Sequence, residues 1–201
     1  FMQGKDPICA VSTTPLVGLH NQENILAALA LVASFKIPFR SIQKTLSHFN
    51  GLPHRCQVVC KHRGITWIND SKGTNVAASI SAMKALKPSQ GKLIVLLGGK
   101  PKQEDYSLLI PTVLECARGV VLMGGAISLL KPLWEPYRSQ IALRDAHSMQ
   151  EAIQSANELA ESGDIVLLSP ACPSYDWYQN FEERGHDFVR QLEELVKATN
   201  R

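Results

Sequence analysis

The sequence predicts an α/β fold, a mostly parallel, doubly wound sheet with an antiparallel hairpin at its start, preceded by two helices. Three observations predict it. From residue 51 onward, short apolar β-type runs alternate with helical patterns. Leu93–Leu97 and Ile165–Leu168 are continuously apolar, as strands covered on both faces are. Cys56–Cys60 and Gly64–Ile68 are joined by the short turn His62-Arg63-Gly64, which reads as a hairpin.

The elements follow in order. Residues 1–19 are loosely organised, because Pro7 and Pro15 interrupt any regular pattern. A helix with Ile25, Leu26, Leu29 and Val32 at helical spacing begins at Asn21, a residue suited to cap it. Pro38 punctuates, and a second helix carries Ile42, Leu46 and Phe49 on one face. Gly51-Leu-Pro53 reads as a boundary, dividing the chain into 1–50 and 51–201. After the hairpin come a helix marked by Val76, Ile80, Met83 and Leu86, the strand 93–97, and a helix around 108–117 with Pro111 in its first turn. Strands at 120–123, 141–143 and 165–168 alternate with helices at 126–130 and 149–160. An extended polar and aromatic loop over 169–184 precedes a last helix at 188–197.

At 201 residues, 45% hydrophobic, the chain has apolar material for one α/β domain and part of another. No run approaches the roughly 20 apolar residues of a membrane span, and Phe1–Cys9 lacks the apolar core of a signal peptide. The five cysteines include no CxxC pair. Cys56 and Cys60, on one strand, lie roughly 13 Å apart at about 3.3 Å per residue, too far to bridge. Reduced thiols and a cytoplasmic setting follow, without a zinc site. The formal charge of +3 is too mild for a nucleic-acid binder. Basic residues still gather locally, at Arg55, Lys61 and Arg63 and again at Lys100 and Lys102, a distribution that suits a small anion or plain solubility.

In open parallel sheets ligands bind beyond the carboxyl ends of the strands. The loops after Ile68, Leu97 and Leu168 meet that condition. The first, Asn69-Asp-Ser-Lys-Gly-Thr-Asn75, reads as a turn into a helix whose free amides favour an anion, or as an ordinary capped helix start. Lys72 and Thr74, Lys102, and Ser169 and Ser174 place cations and hydroxyls where a ligand with two carboxylates would fit. There is no Gly-x-x-x-x-Gly-Lys-Ser/Thr, hence no phosphate-cradling loop, and no His, Cys and carboxylate cluster with metal spacing.

Gly51-Leu-Pro-His-Arg55, Trp67-Ile-Asn-Asp-Ser-Lys-Gly-Thr-Asn75, Leu97-Gly-Gly-Lys-Pro-Lys102, Leu168-Ser-Pro-Ala-Cys-Pro-Ser-Tyr-Asp176 and Asn180-Phe-Glu-Glu-Arg-Gly185 together resemble the Mur ligase family. Upstream, Gly18-Leu-His-Asn-Gln-Glu-Asn24 resembles the end of that family's central ATPase domain. The resemblance, strongest to members that add D-glutamate to UDP-N-acetylmuramoyl-L-alanine, covers residues 18–198. It implies that 1–50 are the helical tail of the ATPase domain and 51–201 a Rossmann-like, amino-acid-binding C-terminal domain. It implies ATP and magnesium held mainly by a central domain, an acyl-phosphate intermediate in peptidoglycan synthesis, a monomer, and a chain inactive by itself.

Residue by residue, the resemblance places Thr74, Lys102 and Ser174, with backbone amides near Tyr175 and Phe181, on the carboxylates of D-glutamate. It makes Lys72 a catalytic lysine at the same site and puts Arg55, Asp70, Asn21 and Asn24 on the nucleotide. His54 falls at the hinge. Three departures stand out: Gly73 where alanine is common, which loosens the turn; Lys100-Pro101 for an acidic-glycine pair; and Pro173 for a small residue. Two other readings remain: a related ligase, such as a folylpolyglutamate-type enzyme, with another amino acid, or a non-enzymatic α/β binding module.

Overall fold

The computed structural model describes residues 1–16 and 18–199. The chain divides into two compact units, 1–52 and 53–201. In the first, strands β1 (Met2–Gln3) and β2 (Asp6–Pro7) pair antiparallel, so the expected loose start contains a small hairpin. Helices α1 (Leu19–Val32) and α2 (Phe39–His48) follow. Gly18, with φ at +97°, holds the N-cap of α1. Asn21 therefore lies inside the helix, its amide on the Gly18 carbonyl, and does not cap it. Leu31 and Phe35 stay largely exposed.

The second unit carries a six-stranded sheet. Strands β3 (Gln57–His62) and β4 (Ile65–Asn69) form the expected hairpin, with Arg63 and Gly64 both at positive φ in its turn. There follow α3 (Val76–Leu86), β5 (Leu93–Gly98), α4 (Leu109–Cys116), β6 (Ala117–Met123), α5 (Ile127–Trp134) and β7 (Ala142–Ala146). Helix α6 (Met149–Leu159), β8 (Ile165–Ala171) and α7 (Phe181–Thr199) complete the chain. The spatial order is β3-β4-β8-β5-β6-β7, and every pair but β3 with β4 is parallel.

Alternation of side chains makes two cores. Leu93, Val95 and Leu97 of β5 meet Met83 and Leu86 of α3, Leu109 and Val113 of α4, and Leu130 and Trp134 of α5. Ile94 and Leu96 point the other way, toward Met149 and Ile153 of α6 and Phe188 and Leu192 of α7. Strand β8, last in sequence, enters between β4 and β5. The three strands with the candidate loops are thus neighbours, and their ends are level, with Asn69 beside Leu168 and Gly98 beside Ala171.

Several boundaries differ from the sequence pattern, and two of them shape the carboxyl end of the sheet. Strand β8 runs on to Ala171, with a register shift opposite Leu97 that absorbs Ser169 and Pro170. Helix α7 starts at Phe181, seven residues before the apolar periodicity begins, which brings Arg184 and Gly185 into the domain's interior.

Candidate functional site

The carboxyl end of the sheet is built around one side chain. Arg184, in the first turns of α7, is 1% exposed. Its Nε donates to Ser71 Oγ (3.0 Å) and its Nη2 to the Ser71 carbonyl (2.9 Å), in the loop after β4. Its Nη1 donates to the Cys172 carbonyl (3.0 Å) after β8 and faces that of Gly98 (3.4 Å) at the end of β5. One guanidinium therefore joins all three loops. Among the described residues no carboxylate lies within ion-pair distance of it. Burial lowers its pKa to about 10, so it stays charged at neutral pH.

Glycines let the loops close. A Cβ on Gly98 would lie 2.0 Å from the Met123 carbonyl oxygen, and one on Gly99 2.2 Å from that of Pro173. Both have φ near +130°, which side chains rarely adopt. The Lys100 amide donates to the Pro173 carbonyl (2.9 Å), and Asp176 accepts from Gly125 N–H (2.8 Å), fixing the β8 loop against those after β5 and β6. Ala171 holds φ at +58° and donates to the Gly73 carbonyl (2.9 Å). A left-handed non-glycine residue stores strain, and here it sits at the end of β8.

The Asp70 carboxylate is buried. It accepts from Ser169 Oγ (2.7 Å) and the Cys56 amide (3.2 Å), and Ser169 continues to Ser79 Oγ at 3.0 Å. Burial first, and then the Asp70 charge, push the Cys56 thiol far up, so that sulfur stays protonated. Gly73 does not loosen this turn. A Cβ there would fall 2.5 Å from Asp70 Oδ2 and 2.7 Å from Ser169 Oγ, so glycine is what lets the carboxylate fold inward.

His54, φ +62°, is 5% exposed at the start of the second unit. Its carbonyl accepts from the Lys72 amide (3.0 Å), and its ring stands edge-on to those of Phe181 and His186. Asn69 Oδ1 accepts from Ser71 N–H and its Nδ2 donates to the Gly185 carbonyl, leaving a second Nδ2–H for His54 Nδ1 at 3.1 Å. The ring is thereby held as an acceptor. Burial, and then the nearby His186, lower its pKa, with Glu182 opposing.

Around this frame several of the side chains assigned to a ligand reach the surface, whereas Ser174 and Asp70 are buried. Lys72 is exposed, its Nζ 3.8 Å from the centre of the Phe181 ring. Thr74 is half-buried, and no described group holds its hydroxyl. Lys102 faces Glu104 at 3.6 Å, and its amide donates to Tyr106 Oη (3.0 Å). Ser174 is 2% exposed, with its carbonyl taken by the amides of Trp177 and Tyr178. Tyr175 is exposed, and Phe181 opens α7 beside an Asn180–Glu183 capping box. Arg55 is exposed beside His54, whereas Asn21 and Asn24 lie on α1 of the first unit. Arg184, Asn69, Tyr106 and Glu104 were not singled out from sequence. Arg184 and Asn69 had a signal, their places in the Asn180–Gly185 and Trp67–Asn75 motifs.

These features define an α/β domain with a cationic crevice across three adjacent strand ends. The chain belongs to the Mur ligase family, whose profile described as Mur ligase, glutamate ligase domain, matches residues 54–172. It is 43% identical over 198 residues to a UDP-N-acetylmuramoylalanine–D-glutamate ligase of Nitrosococcus oceani, covering 98% of this chain and 43% of that one. A Pseudomonas aeruginosa protein of the same name is 40% identical over 192 residues, 95% of this chain and 42% of that one. The chain thus spans about two fifths of the length of these curated relatives. Among solved structures, Mycobacterium tuberculosis folylpolyglutamate synthase with ADP and AMPPCP shares the fold at a TM-score of 0.67 and 17% identity, over 87% of this chain and 41% of that one. Thermotoga maritima UDP-N-acetylmuramate–alanine ligase gives 0.65 and 18%, over 89% and 39%.

Proposed function

We propose that residues 51–201 are the amino-acid-binding domain, and 1–50 the helical tail of the ATPase domain, of an ATP-dependent ligase. That ligase adds D-glutamate to UDP-N-acetylmuramoyl-L-alanine through an acyl phosphate in cytoplasmic peptidoglycan synthesis. The observation that carries the reading is the buried Arg184 cation without a carboxylate partner, beneath loops bearing Lys72, Thr74, Lys102 and Ser174. Asp70 and Asp176 favour the charged guanidinium from a distance, but no described carboxylate touches it. With the Lys72 and Lys102 ammonium groups on the loops above, these strand ends favour an anion, and a dicarboxylic amino acid has two carboxylates to offer. The likeness to D-glutamate ligases along nearly the whole chain supports the substrate.

In this reading Lys102, Thr74 and Ser174, with the amides near Tyr175 and Phe181, hold the two carboxylates of D-glutamate. The amine then faces the acyl phosphate with most of its orientational entropy already spent. Lys72, steadied on Phe181, supplies positive charge where the phosphate oxygens gather. Arg55 and the Asp70 turn are the nucleotide contacts proposed in the second unit, Asn21 and Asn24 those proposed in the first, and His54 is the hinge. Among the described residues no group of three His, Cys, Asp or Glu is placed to hold a metal ion. In this reading the magnesium accompanying ATP is held mainly by the central ATPase domain. No helix among the described residues is long and apolar enough to cross a membrane.

The test is Lys102→Ala in the full-length ligase. Loss of one charge-assisted hydrogen bond should raise the D-glutamate requirement roughly tenfold or more. An unchanged requirement removes Lys102 from the site, and a panel of amino acids that favours another substrate removes D-glutamate.

A further inference from the structure

The lysine assigned to the substrate already has a carboxylate beside it. Glu104 Oε1 lies 3.6 Å from Lys102 Nζ, and Glu104 Oε2 accepts from the Val76 amide at 2.8 Å. Val76 is the first residue of α3, two beyond Thr74. Asn75 holds the next available amide of that turn, Ala78 N–H at 2.8 Å, so the Glu104 contact completes the cap. A protein carboxylate therefore sits at the helix start, beside one of the side chains assigned to the carboxylates of the ligand. Its two contacts differ in kind. The amide bond is short and partly buried, whereas the lysine contact is longer, with side chains 42% and 26% exposed. Glu104 is fixed to the helix, and Lys102 is the partner free to leave.

We propose that Glu104 is an internal competitor for Lys102: it holds the ammonium until the amino-acid substrate arrives, and substrate binding is an exchange of carboxylates on that lysine. This rests on the reading of Lys102 given above. Two effects of the Glu104 charge oppose each other. Holding Lys102 in place contributes little for a pair this exposed. A second carboxylate within a few ångströms of the incoming one repels it, and because Lys102 no longer offsets the Glu104 charge once it has turned to the substrate, that repulsion is the larger effect. The charge thus weakens glutamate binding, and its side-chain hydrogen bond to α3 is what keeps it there.

In the full-length ligase, Glu104→Gln keeps an oxygen for the Val76 amide and removes the charge. The KM for D-glutamate should fall about three- to tenfold, with kcat changed by less than about twofold. Glu104→Met, which also loses the hydrogen bond, should lower KM similarly and reduce the melting temperature. On a Lys102→Ala background, which itself raises KM, Glu104→Gln should lower KM by a smaller factor than in the parent, because only the repulsion remains to be relieved; an equal factor would overturn the exchange on Lys102. If Lys102→Ala raises KM while both Glu104 variants leave it unchanged or raise it, the competitor role is overturned; a rise would place Glu104 against the substrate amine. If Lys102→Ala leaves KM unchanged, the underlying site reading fails instead.

Discussion

Each end of the parallel sheet is closed by a buried charge, and the two are finished differently. At the amino end Asp164, 1% exposed, accepts from the amides of Lys92 (2.7 Å) and Glu161 (2.9 Å). The Arg118 guanidinium meets it through Nε at 2.7 Å and Nη2 at 3.2 Å, and also pairs Glu161 at 2.6 Å. The buried charge is matched. At the carboxyl end Arg184 joins as many loops but meets only carbonyls and a hydroxyl. The same structural device, a planar ion gathering loop backbone, meets its counter-ion directly at one end and none at the other, where Asp70 and Asp176 act on the Arg184 charge only from a distance. In the proposed reading, a structural knot differs from a ligand site by whether a protein counter-ion touches the buried ion.

The largest test removes the unmatched ion. Arg184→Met strands the carbonyls of Ser71 and Cys172 and frees three loops, and should cost about 3–5 kcal/mol, read from urea denaturation of the chain. In the full-length ligase it should also raise the glutamate KM. Stability lost without a change in KM would reduce Arg184 to a brace and dissolve the contrast. Next in size is Asp164→Ala. It leaves two amides and the partly exposed Arg118 without their acceptor, for about 2–3 kcal/mol. The glutamate KM should stay within about twofold, because the binding loops lie at the far end of the strands. A KM that moves as it does for Arg184 would show the ends to be coupled.

The strands of this contrast were legible in sequence, and its ions were not. Leu93–Leu97 could only be a covered strand, and Gly51-Leu-Pro53 announced a break close to the observed division after Leu52. The start of α7 was hidden because Phe181–Asp187 is polar and contains a glycine, a poor helix former. That glycine answers to packing: a Cβ on Gly185 would lie 2.1 Å from His54 Nδ1, more than a hundred residues away in sequence. The inward turn of Asp70 over Gly73 and the Lys102–Glu104 pair are likewise consequences of tertiary placement that no local pattern encodes.

The smallest effect is a pH dependence at the carboxyl end. His54 is buried, faces His186, and accepts from Asn69 Nδ2, so its neutral ring is the one the fold accommodates. Burial first, then His186, place its pKa below the ordinary 6.5, against the opposing charge of Glu182. Between the folded and unfolded values the unfolded chain binds more protons, so stability rises with pH there. The contribution is complete above the ordinary value and is lost as pH falls through the folded one. The urea midpoint should therefore drop between about pH 7.5 and about pH 5.5. His54→Asn tolerates the left-handed backbone and carries no titrating ring, so its midpoint should fall less over the same interval. Equal losses in parent and variant would move the acid sensitivity away from His54, and with it the claim that the carboxyl end is where this domain gives way in acid.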